Sequence, residues 1–388
     1  MRSTRRAGFA VLATTAAGLL TASLALAAPA SATTFHVRHD HVRHGHFQQG
    51  STFIGQLTHT KVVASTIPAN GDVNPYGVAV VPRSTGDLHV GDVLVSNFND
   101  MANTQGTGST IVQVSPGGHA SLFAQISDSS CPGGVGLTTA LSVLPSGWVI
   151  VGSLPTQSSV TTNGGISGPG CLIVLDNHGN VRETITHHGI DGPWDMTAVD
   201  FGRVSELFVT NVLGGILGKA NPNGGTVQRL LITSGDGQPP QVLQSTQIGS
   251  GFPAQTNSNA LVIGPTGVGL GRNDTLYVAD TLDNRIAAIP DAVFRHGDDG
   301  SGFTVSQGGL LNGELGLAIA PNGDILTVNG GDGNMVETTP FGAQVAHQTV
   351  DNNQGGGGNL FGLAVRPGAD AVYFVDDFSE DNNLQLQF

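Results

Sequence analysis

One two-part unit recurs six times between residues 76 and 376, and this repeat limits the fold more strongly than any other feature of the sequence. Its first half is a short apolar run, often with Gly near its start. A turn rich in Gly, Pro, Asn or Asp follows. The second half is an apolar run that ends on a small or polar pair. The copies are Tyr76–Val80 with Val93–Asn97, Ala140–Val143 with Trp148–Ser153, Met196–Val199 with Leu207–Asn211, Gly267–Leu270 with Leu276–Asp280, Leu315–Ile319 with Ile325–Asn329, and Phe361–Val365 with Val372–Asp376. Successive copies lie 46 to 70 residues apart. Self-similarity at that period marks stacked β-sheets around an axis, with one four-stranded blade per repeat and loops of varied length. The runs are apolar rather than alternating, as expected where each sheet is covered on both faces.

The expected fold is therefore all-β, a single six-bladed β-propeller over residues 51–388. The 57 glycines of the 388 residues carry no G-x-y period, so they fit many tight turns rather than a fibrous chain. The last copy lacks a fourth strand, because the chain ends at Phe388. The segment Lys61–Ile67 precedes the first copy and has no partner of its own. Pairing that N-terminal strand into the last blade closes the ring and removes an exposed sheet edge.

Arg2, Arg5 and Arg6, an apolar stretch from Ala7 to about Ala28, and Ala30-Ser31-Ala32 have the layout of a secretory signal peptide over residues 1–32. The arginine pair leaves the Sec and Tat routes both open. Residues 33–50 carry five histidines between His36 and His46 and are expected to form a flexible leader. Such a tract binds Zn²⁺, Ni²⁺ or Cu²⁺ without needing an assigned role. Loss of residues 1–32 removes three Arg and no acid, so the net charge of −14 becomes −17. A surface this acidic repels phosphate backbones and anionic lipids, which excludes nucleic acid as a partner. A secreted, monomeric protein that binds a small molecule or another protein is expected.

Within the fourth copy, Ala279-Asp280-Thr281-Leu282-Asp283-Asn284-Arg285-Ile286 resembles the signature of NHL repeats, with Leu282-Asp283 replacing the usual glycine-asparagine pair. NHL repeats form propellers, so the resemblance implies the same architecture and a role in binding or interaction. A second stretch, Asp191-Gly192-Pro193-Trp194, is similar to the Glu-Gly-Pro-x-Trp motif of SMP-30/gluconolactonase-like propellers, with Asp for Glu and one residue fewer. That resemblance implies a metal-dependent hydrolase or lactonase as the alternative. The catalytic histidine pattern of virginiamycin B lyase does not map onto the chain. No G-x-S-x-G elbow, P-loop, H-E-x-x-H or paired C-x-x-C is present.

Candidate site residues follow from the repeat. In a propeller the loops after second strands, and those leading into each blade, emerge on one face. Long polar stretches fall there at Asn97–Ser109, Leu154–Gly170, Thr233–Asn259 and Asp351–Asn359. The second strands end on Asn97, Ser153, Asn211, Asp280, Asn329 and Asp376, and the lead-in segments add Asp72, Asn74, Asp195, Glu314 and Asn359. Carboxylates and amides converging on one axis suit a hard divalent cation such as Ca²⁺. Asp195, Asn211 and Asp280 are the first choices for it, with Asn97, Asn329 and Asp376 as further ligand-binding candidates. The same residues serve equally well as turn caps. Cys131 and Cys171, the only cysteines, fall on one face of the second repeat and are expected to pair in an oxidising compartment.

Overall fold

The computed structural model describes residues 52–154, 168–213, 221–235, 237–257, 260–352, 359–368, 370–377 and 382–388. The expected signal peptide, the histidine-rich leader and most of the Leu154–Gly170 and Asp351–Asn359 stretches lie outside them. The described chain forms six antiparallel sheets. Blade 1 runs through Val73–Val80, Val93–Asn99, Thr110–Val114 and Ala120–Gln125, and blade 2 through Leu141–Val143, Val149–Ser153, Cys171–Leu175 and Val181–Ile185. Blade 3 comprises Pro193–Asp200, Val204–Asn211, Asn221–Thr233 and Val242–Asn257, with Leu261–Ile263 as a fifth strand. Blades 4 and 5 are Pro265–Leu270 to Phe303–Gln307 and Glu314–Ile319 to Gln344–Thr349. In blade 6, Leu360–Val365, Val372–Asp376 and Asn383–Gln387 are completed by the N-terminal strand Thr60–Ser65. The innermost strands touch one another in sequence all the way round, blade 6 against blade 1 included. The ring is closed as the sequence predicts. Among the described residues no helix is long and apolar enough to cross a membrane.

Burial explains the sequence pattern. The second strands of blades 1, 2, 4, 5 and 6 are buried along their whole length, because the neighbouring blades cover both faces. The outermost strand of blade 5, Gln344–Thr349, alternates half-buried and exposed residues, as a one-sided strand should. One expectation is corrected. Thr233–Asn259 is not a loop; most of it is the 16-residue strand Val242–Asn257, paired along the 13-residue strand Asn221–Thr233. Its polar Gln, Ser and Thr residues gave it a loop-like composition because only part of this outer strand is covered.

Glycines at the inner strands set how tightly the blades meet. A Cβ on Gly316 would collide with the carbonyl oxygen of Phe361, and one on Gly362 with that of Tyr76. Gly77 and Gly267 stand in the same way against the inner segments of blades 2 and 5. The missing side chains let each of these strands lean directly on the next.

The N-terminal segment does more than supply one strand. Phe53, Ile54 and Leu57 are buried in the cluster formed by blades 5 and 6. The buried Glu337 of blade 5 accepts hydrogen bonds from the Phe53 and Ile54 amides at 2.7 and 2.8 Å and from Asn322 Nδ2 at 2.9 Å. The Gln348 side-chain amide donates to the Ile54 carbonyl. His59 exchanges two backbone hydrogen bonds with Phe388, at 3.0 and 2.8 Å.

Candidate functional site at the channel rim

A common register positions the site. In five blades the innermost strand faces the end of the second strand through the same pair: Pro75 and Asn97, Pro193 and Asn211, Pro265 and Asp280, Glu314 and Asn329, Leu360 and Asp376. A bulge follows each pair, which re-aims the next side chain. The residues delivered there are Tyr76, Trp194, Thr266, Leu315 and Phe361.

Three of these meet. Trp194 stands edge-on to Tyr76 with ring centroids 5.7 Å apart, and Tyr76 packs on Phe361 at 5.3 Å. The Trp194 indole N–H donates to the Tyr76 hydroxyl at 2.6 Å. Burial is the main force raising the Tyr76 phenol above its ordinary pKa, with Asp195 adding to it. Blades 1 and 3 are not neighbours in the ring, so this contact bridges them past blade 2. With Leu137, Leu154, Val212, Leu213 and Leu315, the three aromatics fill the throat with apolar side chains. The Asp191-Gly192-Pro193-Trp194 stretch thus delivers its Trp to the plug.

The polar ring lies one strand further out and is buried throughout. Asn97 Nδ2 donates to the Thr66 carbonyl at 3.0 Å, and Ser153 Oγ bonds both the amide and the carbonyl of Gly136 at 3.1 and 3.0 Å. Asn211 Oδ1 accepts from the Asp191 amide at 2.9 Å, and Asn329 Nδ2 donates to the Leu310 carbonyl at 2.7 Å. Each of these four grips the segment leading into its own blade, which is the turn-capping role of Asn and Ser. Asp376 accepts from Gln385 Nε2 at 2.9 Å. Asp280 instead takes a two-pronged bond to its Oδ2 from Arg285 Nε and Nη2, at 2.9 and 2.7 Å. The NHL-like segment therefore forms a buried ion pair within blade 4.

Among the lead-in residues, Asp72 Oδ2 accepts from Thr110 Oγ1 and the Ser109 amide, both at 2.9 Å. The Asn74 amide donates to Asn382 Oδ1, and Asn359 Nδ2 donates to Asp351 at 2.8 Å. Asp195 is half-buried as a residue, but its carboxyl is enclosed by protein. Burial pushes it up to about 7, against amide bonds from Met196 at 2.8 Å and Val268 at 3.2 Å.

Glu314 differs from all of these. It is fully buried, and neither carboxyl oxygen has a hydrogen-bond partner of good geometry among the described residues. Burial pushes it up to about 9; its own amide, the Arg285 amide and the Arg285 charge oppose the shift, while the Asp280 charge adds to it. Burial likewise pushes Asp280 up to about 6 in spite of Arg285, and Asp280 Oδ1 is left without a partner. Asn329 Oδ1, across the strand pair from Glu314, is unpartnered as well. Four oxygen acceptors on blades 4 and 5 thus have no hydrogen bond of good geometry among the described residues. Buried acceptors of this kind call for an explanation, of which a bound cation is one. The grouping is of two carboxylates and an amide; no group of three His, Cys, Asp or Glu placed to hold a metal occurs among the described residues. In the repeat pattern Glu314 is a lead-in residue like the others; what sets it apart is a fully buried carboxylate with both oxygens short of well-formed hydrogen bonds among the described residues.

Cys131 and Cys171 form the expected disulfide, with their Cα atoms 6.0 Å apart. Cys171 lies opposite Ser153 in the strand pairing, so the bridge braces the blade 2 part of this rim. Closing 40 residues contributes roughly 3–4 kcal/mol in the chain-entropy account.

No family model matches the chain, and no curated protein sequence does. Its fold does have solved counterparts. A gluconolactonase of Xanthomonas campestris matches with a TM-score of 0.52 at 12% identity, over 84% of this chain and 88% of that one. Regucalcin of Agrobacterium tumefaciens, described as a calcium-binding protein, matches with 0.51 at 12%, over 85% and 93%. The PQQ-bound aldose sugar dehydrogenase of Streptomyces coelicolor matches with 0.50 at 15%, over 85% and 98%. At these identities the likeness is one of fold. The chain is a six-bladed propeller with gluconolactonase- and regucalcin-type propellers among its structural neighbours.

Proposed function

We propose that this protein is an exported hydrolase of the lactonase kind, working at the loop-rich rim with a divalent cation, Ca²⁺ being the first choice. The observation that carries the reading is the set of buried oxygens on Glu314, Asp280 and Asn329 that have no hydrogen bond of good geometry among the described residues. Hard oxygen ligands suit such an ion, and its charge would remove the penalty of two carboxylates lying close together. Glu314 and Asp280 Oδ1 would hold it, with Asn329 Oδ1 supporting; Asn211 and Asp195 lie on the adjoining blade with their oxygens already bonded to the Asp191, Met196 and Val268 amides. When bound, the cation would polarise a carbonyl oxygen and stabilise the charge that develops on it. Asp195, at about 7, has the proton affinity of a group that exchanges protons near neutrality, which suits it to accept one from an attacking water.

Metal analysis of the purified protein lacking residues 33–50 should find a stoichiometric divalent ion. A lactone and ester panel should then give hydrolysis that chelation abolishes and Glu314→Gln lowers at least about 100-fold, the scale of losing a positioned electrostatic partner. Hydrolysis that survives both treatments overturns the reading. A second reading is favoured by one observation, the throat filled by Tyr76, Trp194 and Phe361. A propeller so plugged acts as a binding or interaction module through its outer loops, and a metal-free protein inert to the whole panel would establish that reading instead.

A further inference from the structure

On the face opposite that rim, the turns of blades 1 and 2 enclose a cleft of 440 Å³. Its walls are held by bonds that do not depend on any ligand. Asn177 Nδ2 donates to Thr85 Oγ1 at 2.9 Å, the Asp87 amide donates to the Asn177 carbonyl at 2.9 Å, and His178 Nδ1 lies 2.9 Å from Asp87 Oδ2. Two glycines allow the turns to meet: a Cβ on Gly86 would collide with Asn177, and one on Gly147 with Thr85. Trp148 and Pro145 supply an apolar side.

The polar inventory of the cleft is strongly one-sided. Asp176 is the lining carboxylate, and its oxygens are already occupied. They accept from the His178 and Asn180 amides at 2.9 and 3.0 Å, from Asn180 Nδ2, and from Arg182 Nη1 at 3.1 Å. Burial works against the Asp176 charge, but these bonds outweigh it and hold the carboxyl below its usual range. The donors, in contrast, have capacity left. Arg83 is exposed and makes no ion pair among the described residues. Arg182 uses one of its five N–H groups on Asp176. The Ser146 hydroxyl in the wall is shielded from solvent and has no partner. Only 15 Lys and Arg exist in the chain, so two in one small cleft run against the general charge of the molecule.

We infer that this inter-blade cleft, with Arg83, Arg182 and Ser146 as donors and Trp148 as the apolar wall, binds a small sugar-sized oxyanion. Guanidinium groups match carboxylate and phosphate oxygens in geometry as well as charge. A pocket with an apolar wall and a few fixed donors is the usual form of a small-molecule site. The site lies on the far face from the proposed hydrolytic rim and does not depend on that reading.

Calorimetry with glucuronate, glucose 6-phosphate and glucose as probes tests the inference on the intact protein. Binding of either anionic probe with neutral glucose silent is expected, and the stronger of the two identifies carboxylate or phosphate as the group read. Arg83→Gln should weaken that binding at least tenfold without moving the melting temperature, since Arg83 is exposed and makes no hydrogen bond or ion pair among the described residues. Arg203→Gln, on an exposed turn of blade 3, should leave it unchanged. No binding of either anion at millimolar concentration overturns the inference. So does equal binding of glucose, or a loss in Arg203→Gln as large as in Arg83→Gln. Because the readout is binding alone, its failure says nothing about lactone hydrolysis.

Discussion

Blade 5 carries two fully buried glutamates, and they are treated in opposite ways. Glu337, on its third strand, receives two backbone amides and an asparagine amide. Glu314, at the start of its first strand, has no hydrogen bond of good geometry among the described residues. Both carboxylates lost water on folding, but only one regained a set of well-placed donors. The difference separates a carboxylate that holds the chain together from one available to a ligand. A buried acid with a full set of partners strengthens the fold, whereas one without them favours protonation or a cation.

The strongest way to break the comparison is to remove the partners of Glu337. Deleting residues 33–50 should leave the melting temperature unchanged, since the N-terminal contacts to the ring described above are made from Phe53 onward. Deleting through Ile67 removes the Phe53 and Ile54 amides together with the closing strand. It should produce aggregation or a drop of more than about 10 °C, given that one lost strand and its burial amount to several kcal/mol. Size-exclusion chromatography and calorimetry read both outcomes. A monomer of unchanged stability after the longer deletion would show that closure contributes nothing.

A milder perturbation is Glu337→Ala. It leaves the Phe53 and Ile54 amides without their acceptor, while Asn322 Nδ2 keeps its bond to Asp324, and should cost about 2–4 kcal/mol, the range for a buried charged hydrogen-bond partner. Denaturant unfolding measures this, and a loss below about 1 kcal/mol would mean that the amides find other acceptors.

The smallest effect has the opposite sign. The folded-state pKa of Glu314, about 9, lies above its unfolded value, so the native state binds more protons through that interval. Stability should therefore fall as pH rises from about 5 towards 9. Asp195 at about 7 and Asp280 at about 6 contribute in the lower part of that window. Glu314→Gln removes the titrating group and should stabilise the metal-free protein at pH 8–9 by about 1–3 kcal/mol while flattening the pH dependence. Added Ca²⁺ should flatten it in the unsubstituted protein but not in the variant. A variant no more stable than its parent at pH 9 would mean that Glu314 is not isolated.

Much of this was legible in the residues. The repeats were read from Val-rich runs ending on Asn or Asp, and closure from the orphan segment Lys61–Ile67. The Cys131–Cys171 bridge followed from the number and placement of the cysteines. What escaped was governed by contacts distant in sequence. Nothing local marks Phe53 and Ile54 as core, because their burial depends on Glu337, 284 and 283 residues away. Val242–Asn257 has the composition of a loop and is a strand because its partner strand runs long beside it. The polar ring shows in its spacing, but spacing does not tell which members are saturated; Asp195 and Asn211 hold well-formed bonds from backbone amides, while the Glu314 oxygens have none of good geometry among the described residues.

The glycines between the inner strands make the ring behave as a hoop. In an open stack of sheets, a wedge driven between two neighbours would be relieved by the free end swinging outward. Here there is no free end. A methyl group placed on Gly362 presses on the Tyr76 carbonyl, and the displacement has to be shared among the remaining junctions of the circle. Tyr76 is also the residue that accepts the Trp194 indole N–H from blade 3. A wedge at the seam between the last blade and the first is thereby transmitted to the centre of the throat and to the third blade, so the plug registers the circumference of the whole ring.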